Sequence, residues 1–153
     1  MNNNNSNSKR IKCKKIVGGI TKGKIQLSEK PINFLAMLNV KTGQISDSNH
    51  TLNNQSLKGN ILVFPNAIGS SVGAYTIFSL RKNNTCPNGI ICTNSVDITT
   101  ASGCAISNIP LVYIKDKEIK EFIKSYNIIE RNKEIILDAD NGNLIFDTDN
   151  KSI

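Results

Sequence analysis

Asn60-Ile61-Leu62-Val63-Phe64-Pro65-Asn66-Ala67-Ile68-Gly69-Ser70-Ser71-Val72-Gly73-Ala74-Tyr75-Thr76-Ile77-Phe78-Ser79-Leu80-Arg81 reads as a strand, a tight loop and a helix in immediate succession. The run 61–64 is short, apolar and partly β-branched, as a strand buried on both faces requires. Pro65 ends it, because proline has no N–H to offer a neighbouring strand. Past the loop, Val72, Ala74, Tyr75, Ile77, Phe78 and Leu80 fall at helical spacing, so a helix is expected over 72–81.

The same alternation continues downstream. Ile90-Ile91-Cys92 is a second apolar strand, 96–106 a small-residue helix or turn, and Leu111-Val112-Tyr113-Ile114 a third strand after Pro110. Strands separated by crossovers of this length imply a parallel sheet with helices on at least one face. A helix is expected over 116–126, with Ile119, Phe122, Ile123 and Tyr126 on one stripe. Asp140-Asn141-Gly142 between Ile135-Ile136-Leu137 and Leu144-Ile145-Phe146 signals a closing hairpin.

Upstream, short β-prone runs lie at 13–17 and 23–27, with Gly18, Gly19 and Gly23 permitting turns or bulges. Residues 31–40 are mixed apolar, Lys41-Thr42-Gly43-Gln44 turns into a short strand at Ile45, and 46–58 are a polar loop. The fold class expected is α/β, a β-rich first half packed beside a parallel-sheet β/α second half. Residues 1–10 are an Asn-rich tail too polar to offset its ordering entropy, so disorder is expected there and a single domain over 11–153.

At 153 residues the chain can bury a core without disulfides or a metal. Lys and Arg number 19 against 12 Asp and Glu, a formal charge of +7, but the basic residues Lys9, Arg10, Lys12, Lys14, Lys15, Lys22 and Lys24 crowd the front of the chain. With 5% aromatics and no Trp there is no interleaving of aromatic and basic residues of the kind that stacks bases, so the charge reads as a solvated face or an attraction for an anionic substrate or partner, not for nucleic acid. Cys13, Cys86, Cys92 and Cys104 match neither metal-ligand spacing nor a secreted disulfide framework, and read as reduced thiols that pack as small hydrophobes. The polar opening is no signal peptide and no run approaches the ~18 apolar residues of a membrane span, so a cytoplasmic location is expected.

Ser70 and Ser71 stand where the first strand of the α/β alternation hands over to its helix, beyond the carboxyl end of a strand, where open α/β sheets bind ligands. A helix start adds backbone N–H groups and the positive end of the macrodipole, both favourable to an anion. A serine hydroxyl asked to remove a proton needs such surroundings, because its alkoxide is hard to form. Gly69 lets backbone approach a ligand, and Gly73 weakens the helix, which favours ligand contact over structure. Ser is equally a preferred helix N-cap, and spacing alone leaves that reading open.

The core Gly69-Ser70-Ser71-x-Gly73 does not stand alone. With Ser28-x-x-Pro31-x-x-Phe34, Thr42-Gly43-x-Ile45, His50-x-Leu52 and Gln55-Ser56-Leu57-x-Gly59, it resembles the small-subunit or swivel-domain segment of the aconitase X family, over about residues 11–115. The resemblance implies a swivelling β/β/α domain that closes over a larger subunit holding a 4Fe-4S cluster, none of it bound by this chain. It implies a dehydration in which the cluster iron acts as Lewis acid on the leaving hydroxyl while a serine takes the proton from the neighbouring carbon. Ser70 matches that proton-accepting serine, with Gly69, Ser71, Gly73 and His50 as substrate contacts. A free-standing small chain is similar to the archaeal type, implying a heterodimer or larger assembly and 5-phosphomevalonate as a substrate converted to trans-anhydromevalonate 5-phosphate for isoprenoid synthesis. Two departures stand out, Asn39 in place of an expected acid and the Asn-rich front, and neither touches the serine loop.

His50 would meet the substrate phosphate or the subunit interface, although a lone His in a polar loop is more often solvated. With one His and no ligand-like Cys group, neither metal hydrolysis nor a Ser-His-Asp mechanism can run on this chain unaided. Three alternatives remain: dehydration of hydroxyproline or another hydroxy acid within the same family, a non-catalytic interaction module, and a phosphohistidine swivel domain. The last is disfavoured because Cys104-Ala105 stands where a phosphoryl carrier needs histidine.

Overall fold

The apolar runs become strands, and the alternation becomes a sheet. The computed structural model describes residues 8–119 and 132–147. In chain order its elements are β1 (Ser8–Lys12), β2 (Lys14–Val17), β3 (Ile20–Leu27), α1 (Phe34–Met37), β4 (Ile61–Phe64), α2 (Gly73–Lys82), β5 (Gly89–Cys92), α3 (Ile98–Ser107), β6 (Leu111–Tyr113), β7 (Glu134–Asp138) and β8 (Asn143–Asp147). The strands form one sheet in the order β1-β8-β7-β3-β4-β5-β6-β2. From β3 to β6 neighbours are parallel, while β2 on β6 and the β7-β8-β1 extension beyond β3 are antiparallel.

β3 belongs to two parts of this sheet. Ile20–Lys24 pair with β7 and Ile25–Leu27 with β4, so one strand carries the chain from the antiparallel layer into the parallel one. Gly23 lies inside this strand, not at the turn or bulge expected of it; a Cβ there would come within 2.7 Å of the Gly59 carbonyl. Glycine serves close approach of another chain segment. Gly19 does make a turn, with φ of +130° between β2 and β3.

Side-chain alternation sorts the core into two layers. Leu62, Phe64, Ile90, Cys92 and Leu111 meet Ile77, Leu80 and Cys104 of α2 and α3 on one face. Ile61, Val63, Ile91 and Val112 meet Ile135, Leu137 and Leu144 of the antiparallel layer on the other. The result is a β/β/α sandwich, the α/β class expected. All four β4 side chains are wholly buried, and truncating one to alanine costs about 2–5 kcal/mol on this kind of packing.

The β layer draws on both ends of the chain, not on the first half alone: β1 and the front of β3 join the β7-β8 hairpin. β1 starts at Ser8, so Ser8, Lys9 and Arg10, assigned above to the tail, pair with Asp147, Phe146 and Ile145. Between β3 and β4 the chain makes α1 and isolated bridges such as Leu38 with Ile45, not regular strands. Residues 116–119 are helical and Ile119 is buried, while Phe122, Ile123 and Tyr126 of the expected stripe lie outside the described residues. The front lysines are exposed as expected, with Lys15 at 4.0 Å from Asp140 and Lys22 at 3.8 Å from Glu134. Among the described residues no helix is long and apolar enough to cross a membrane.

Candidate active site

The loop that carries Ser70 leaves the carboxyl end of β4 and is held from three sides. Beside it, the Phe64 and Pro65 carbonyls accept the N–H groups of Thr93 and Asn94, which follow β5, at 3.0 and 3.1 Å. From the β3 side, Ile32 donates to the Asn66 carbonyl and Ile68 to the Ile32 carbonyl, a parallel bridge between Ile32 and Ala67. From α3, the Asp97 carboxylate accepts the Ala67 N–H at 2.8 Å. Asp97 also caps α3, accepting from the Thr100 N–H at 2.8 Å and from its hydroxyl.

Gly69 turns the chain at φ of +87°, and a Cβ there would overlap the Asn33 amide. That amide is itself committed, since Asn33 Oδ1 caps α1 by accepting the Ala36 N–H at 3.1 Å. The glycine is therefore required twice, by its left-handed backbone and by the fit against Asn33. Phe34, the first residue of α1, sits edge-on to Phe64 of β4 with ring centroids 5.9 Å apart, which fixes α1 to the strand that feeds the loop.

Ser70 and Ser71 are both exposed. The Ser70 hydroxyl accepts the Val72 N–H at 3.2 Å, a local turn ahead of α2. The N-cap of α2 is Val72, with no side-chain cap, so neither serine is spent at the capping position itself. The N–H groups of Gly73, Ala74 and Tyr75 go to the carbonyls of Ser70, Ser71 and Val72. The free donors expected of the helix start thus lie one step earlier: among the described residues nothing accepts the N–H of Ser70 or Ser71. Two unengaged N–H groups and an exposed hydroxyl thus stand in the two residues just ahead of the N-cap of a ten-residue helix, near its positive end. An oxyanion or a developing alkoxide is the species such a point stabilises.

Gly73 does not join this group. It is buried, and a Cβ would lie 3.0 Å from the Thr99 methyl and 3.4 Å from Cβ of Phe34. The position serves packing, because α2 approaches α1 and α3 closely there. His50 is likewise neither solvated nor presented to a ligand: it is 5% exposed. Its Nδ1 accepts the Leu52 N–H at 3.0 Å, so Nε2 carries the proton and donates to the Pro31 carbonyl at 3.3 Å, with Ser28 Oγ at 3.4 Å. Both ring nitrogens are engaged in shaping the 28–52 loop.

Asp97, Asn33, Asn66 and Asn94 are the positions that sequence reading missed. Asn94 donates its amide to Asn66 Oδ1 at 3.1 Å, tying the loops after β4 and β5 together. Only Asp97 had a local signal, an acid directly before a helical run.

Among the described residues no side-chain set fits an iron–sulfur cluster. Among the described residues no three His, Cys, Asp or Glu side chains form a metal-holding group. Cys86, Cys92 and Cys104 are buried, as expected of core thiols. Burial first, and the Asp97 charge second, push the Cys92 thiol up to about 12; burial raises Cys104 as well, and lifts Cys13 to about 11 with help from Asp138.

Comparison with known proteins agrees with this fold. A sequence profile of the aconitase X swivel domain matches residues 10–143. The phosphomevalonate dehydratase small subunit of Thermococcus kodakarensis is 42% identical over 103 residues, 67% of this chain and 77% of that protein. The protein of the same name from Methanothermobacter thermautotrophicus is 34% identical over 136 residues, 89% of this chain and 98% of that one. The crystal structure of Thermococcus kodakaraensis aconitase X in its holo form superposes with a TM-score of 0.75 at 35% identity, covering 91% of this chain and 99% of the other. The β/β/α layering, the identity to these relatives and the matched span lead to one assignment: the chain belongs to the aconitase X swivel-domain family.

Proposed function

We propose that this chain is the small subunit of an iron–sulfur hydro-lyase that dehydrates (R)-5-phosphomevalonate to trans-anhydromevalonate 5-phosphate in the cytoplasm, with Ser70 as proton acceptor. Family membership brings iron–sulfur chemistry to the complex. In this reading the large subunit holds the 4Fe-4S cluster, consistent with the burial of Cys86, Cys92 and Cys104 in the core of this chain. The observation that carries the proposal is the exposed Ser70 hydroxyl beside the unengaged N–H groups of Ser70 and Ser71 at the start of α2.

Elimination breaks a C–H bond, turns its electron pair into the new double bond and expels the neighbouring hydroxyl as hydroxide, which leaves as water once it takes up the proton that Ser70 gave up on becoming an alkoxide. Ser70 Oγ, entering as an alkoxide, takes the carbon's proton and leaves as a hydroxyl. The positive end of α2 and the adjacent N–H groups favour the charged form of Ser70 before transfer, while Ser71 and its N–H hold the substrate. Gly69 keeps the backbone low enough for the substrate to reach both. His50 supplies no phosphate contact, so recognition of the phosphoryl group falls to the partner.

The test is reconstitution. Chain and large subunit, combined without oxygen, are expected to dehydrate (R)-5-phosphomevalonate in preference to hydroxyproline and other hydroxy acids. Equal or better turnover of an unphosphorylated hydroxy acid would replace the substrate assignment.

A further inference from the structure

The basic residues at the front of the chain do not share one environment. Lys15 lies 4.0 Å from the Asp140 carboxylate and Lys22 3.8 Å from that of Glu134, while Lys9 stands over the Phe146 ring at 5.9 Å. Each of these three has a partner. Lys12 and Lys14 form no ion pair among the described residues, and neither does Lys115, which arrives from far along the chain.

The fold gathers these three around one cleft of about 370 Å³. Two pairings cause the convergence. β2 runs antiparallel to β6 and sets Lys14 opposite Tyr113, so the start of β2 meets the carboxyl end of β6, from which Lys115 follows. Lys12 ends β1 opposite Asn143 of β8, and the Cys13 N–H donates to the Gly142 carbonyl at 2.9 Å, which pins the link between β1 and β2. Cys13, Tyr113 and Ile114 complete the lining with Glu118, its one acid. Burial, with help from Asp138, lifts the Cys13 thiol to about 11, so it stays neutral at ordinary pH. Three lysines against one acid leave the cleft positive.

Like charges gathered on a concave surface repel one another and raise the local concentration of anions, and an anion that enters relieves the repulsion. We infer that this cleft binds a compact phosphorylated anion at a site separate from the serine loop. Its volume falls within the roughly 300–1,000 Å³ of small-molecule sites. A phosphoryl group brings up to two charges and three acceptor oxygens, which suits three separate ammonium groups better than a carboxylate does. An extended polyanion would need the charge to continue, and it stops where Lys15 and Lys22 face carboxylates. Neither Ser70 nor Ser71 lines the cleft, and β4, which feeds them, lies two strands from β6, about 10 Å at ordinary strand spacing.

The test titrates the full chain with inorganic phosphate and pyrophosphate at low salt while its backbone N–H resonances are followed. Saturable shifts centred on Cys13, Lys14 and Lys115 are expected, with pyrophosphate binding more tightly. All four charged side chains are exposed, so their substitution should leave the melting temperature unchanged. Lys12→Gln, Lys14→Gln and Lys115→Gln should each weaken binding about two- to fivefold, and Glu118→Gln should tighten it. Lys15→Gln and Lys22→Gln remove the same charge elsewhere and should bind as the unaltered chain does. Shifts that do not saturate, or equal weakening by Lys15→Gln and Lys22→Gln, would show an adventitious ion only and overturn the inference. Equilibrium dialysis of pyrophosphate against the assembled enzyme separates a small ligand from a protein partner: binding that still depends on Lys115 supports the inference, and binding that disappears on assembly would give the lysines to acidic groups of the large subunit and overturn it. Ser70→Ala should leave binding at the cleft unchanged, so failure of this inference and failure of the proposed function are read independently.

Discussion

The Asp97 carboxylate, in the segment after β5, reaches the Ala67 N–H in the loop after β4 at 2.8 Å, joining the cap of α3 to the loop that carries Ser70 three residues later. One side chain thus finishes a helix and anchors the candidate catalytic loop. Asp97→Ala removes the cap and leaves the Ala67 N–H without its acceptor, and the expected cost is about 2–3 kcal/mol of stability. Because the anchored loop also positions Ser70, turnover of the reconstituted complex should fall more than the folded fraction does. Asp97→Asn keeps an oxygen for Ala67 and should recover most of the turnover. Urea denaturation alongside steady-state kinetics checks both; an Asp97→Ala variant with native rates would show that the loop holds its shape unaided.

His50 is a structural residue in this account. His50→Ala should destabilise the chain by about 1–3 kcal/mol by orphaning the Leu52 N–H and the Pro31 carbonyl, while KM for the phosphorylated substrate stays unchanged for the folded fraction. A raised KM at unaltered stability would return His50 to the substrate site.

The buried thiols make a prediction about pH. Cys92 is raised from the ordinary 9.0 to about 12, so the folded state holds this proton more tightly than the unfolded chain does. Its contribution to stability is therefore complete below about pH 9 and is lost as pH rises toward 12. The fall in urea midpoint between about pH 8 and pH 10.5 should be steeper in the unaltered chain than in Cys92→Ala, whose loss of this titration removes that share of the slope. Parallel slopes would contradict the assignment. Cys92 and Cys104 should likewise resist alkylation in the native chain at about pH 8 and react on unfolding.

Local pattern disclosed the parts of this fold whose causes are local. The β-branched run of β4, its stop at Pro65 and the helical spacing after Val72 place Ser70 correctly at the strand-to-helix junction, and Asp140-Asn141-Gly142 marks the β7-β8 hairpin. What stayed hidden depends on pairing between distant segments. Ser8–Arg10 look like tail until β8 arrives to pair with them. Gly23 looks like a turn residue until Gly59 passes over it. His50 lies in a polar stretch, and only the fold of 28–52 brings Pro31 and Leu52 to its two nitrogens. The serine was legible in the same way; the Asp97 anchor, Asn33 under Gly69 and the packing duty of Gly73 were not, because each partner lies on another loop or helix.

The central claim is that Ser70 accepts the proton. The most direct measurement is dehydration by the anaerobically reconstituted complex carrying Ser70→Ala, with complex formation confirmed separately. A loss of about 10²- to 10⁴-fold in kcat is expected of a missing proton acceptor, against a smaller loss dominated by KM for Ser71→Ala. An intact complex turning over at the full rate with alanine at position 70 would contradict the account.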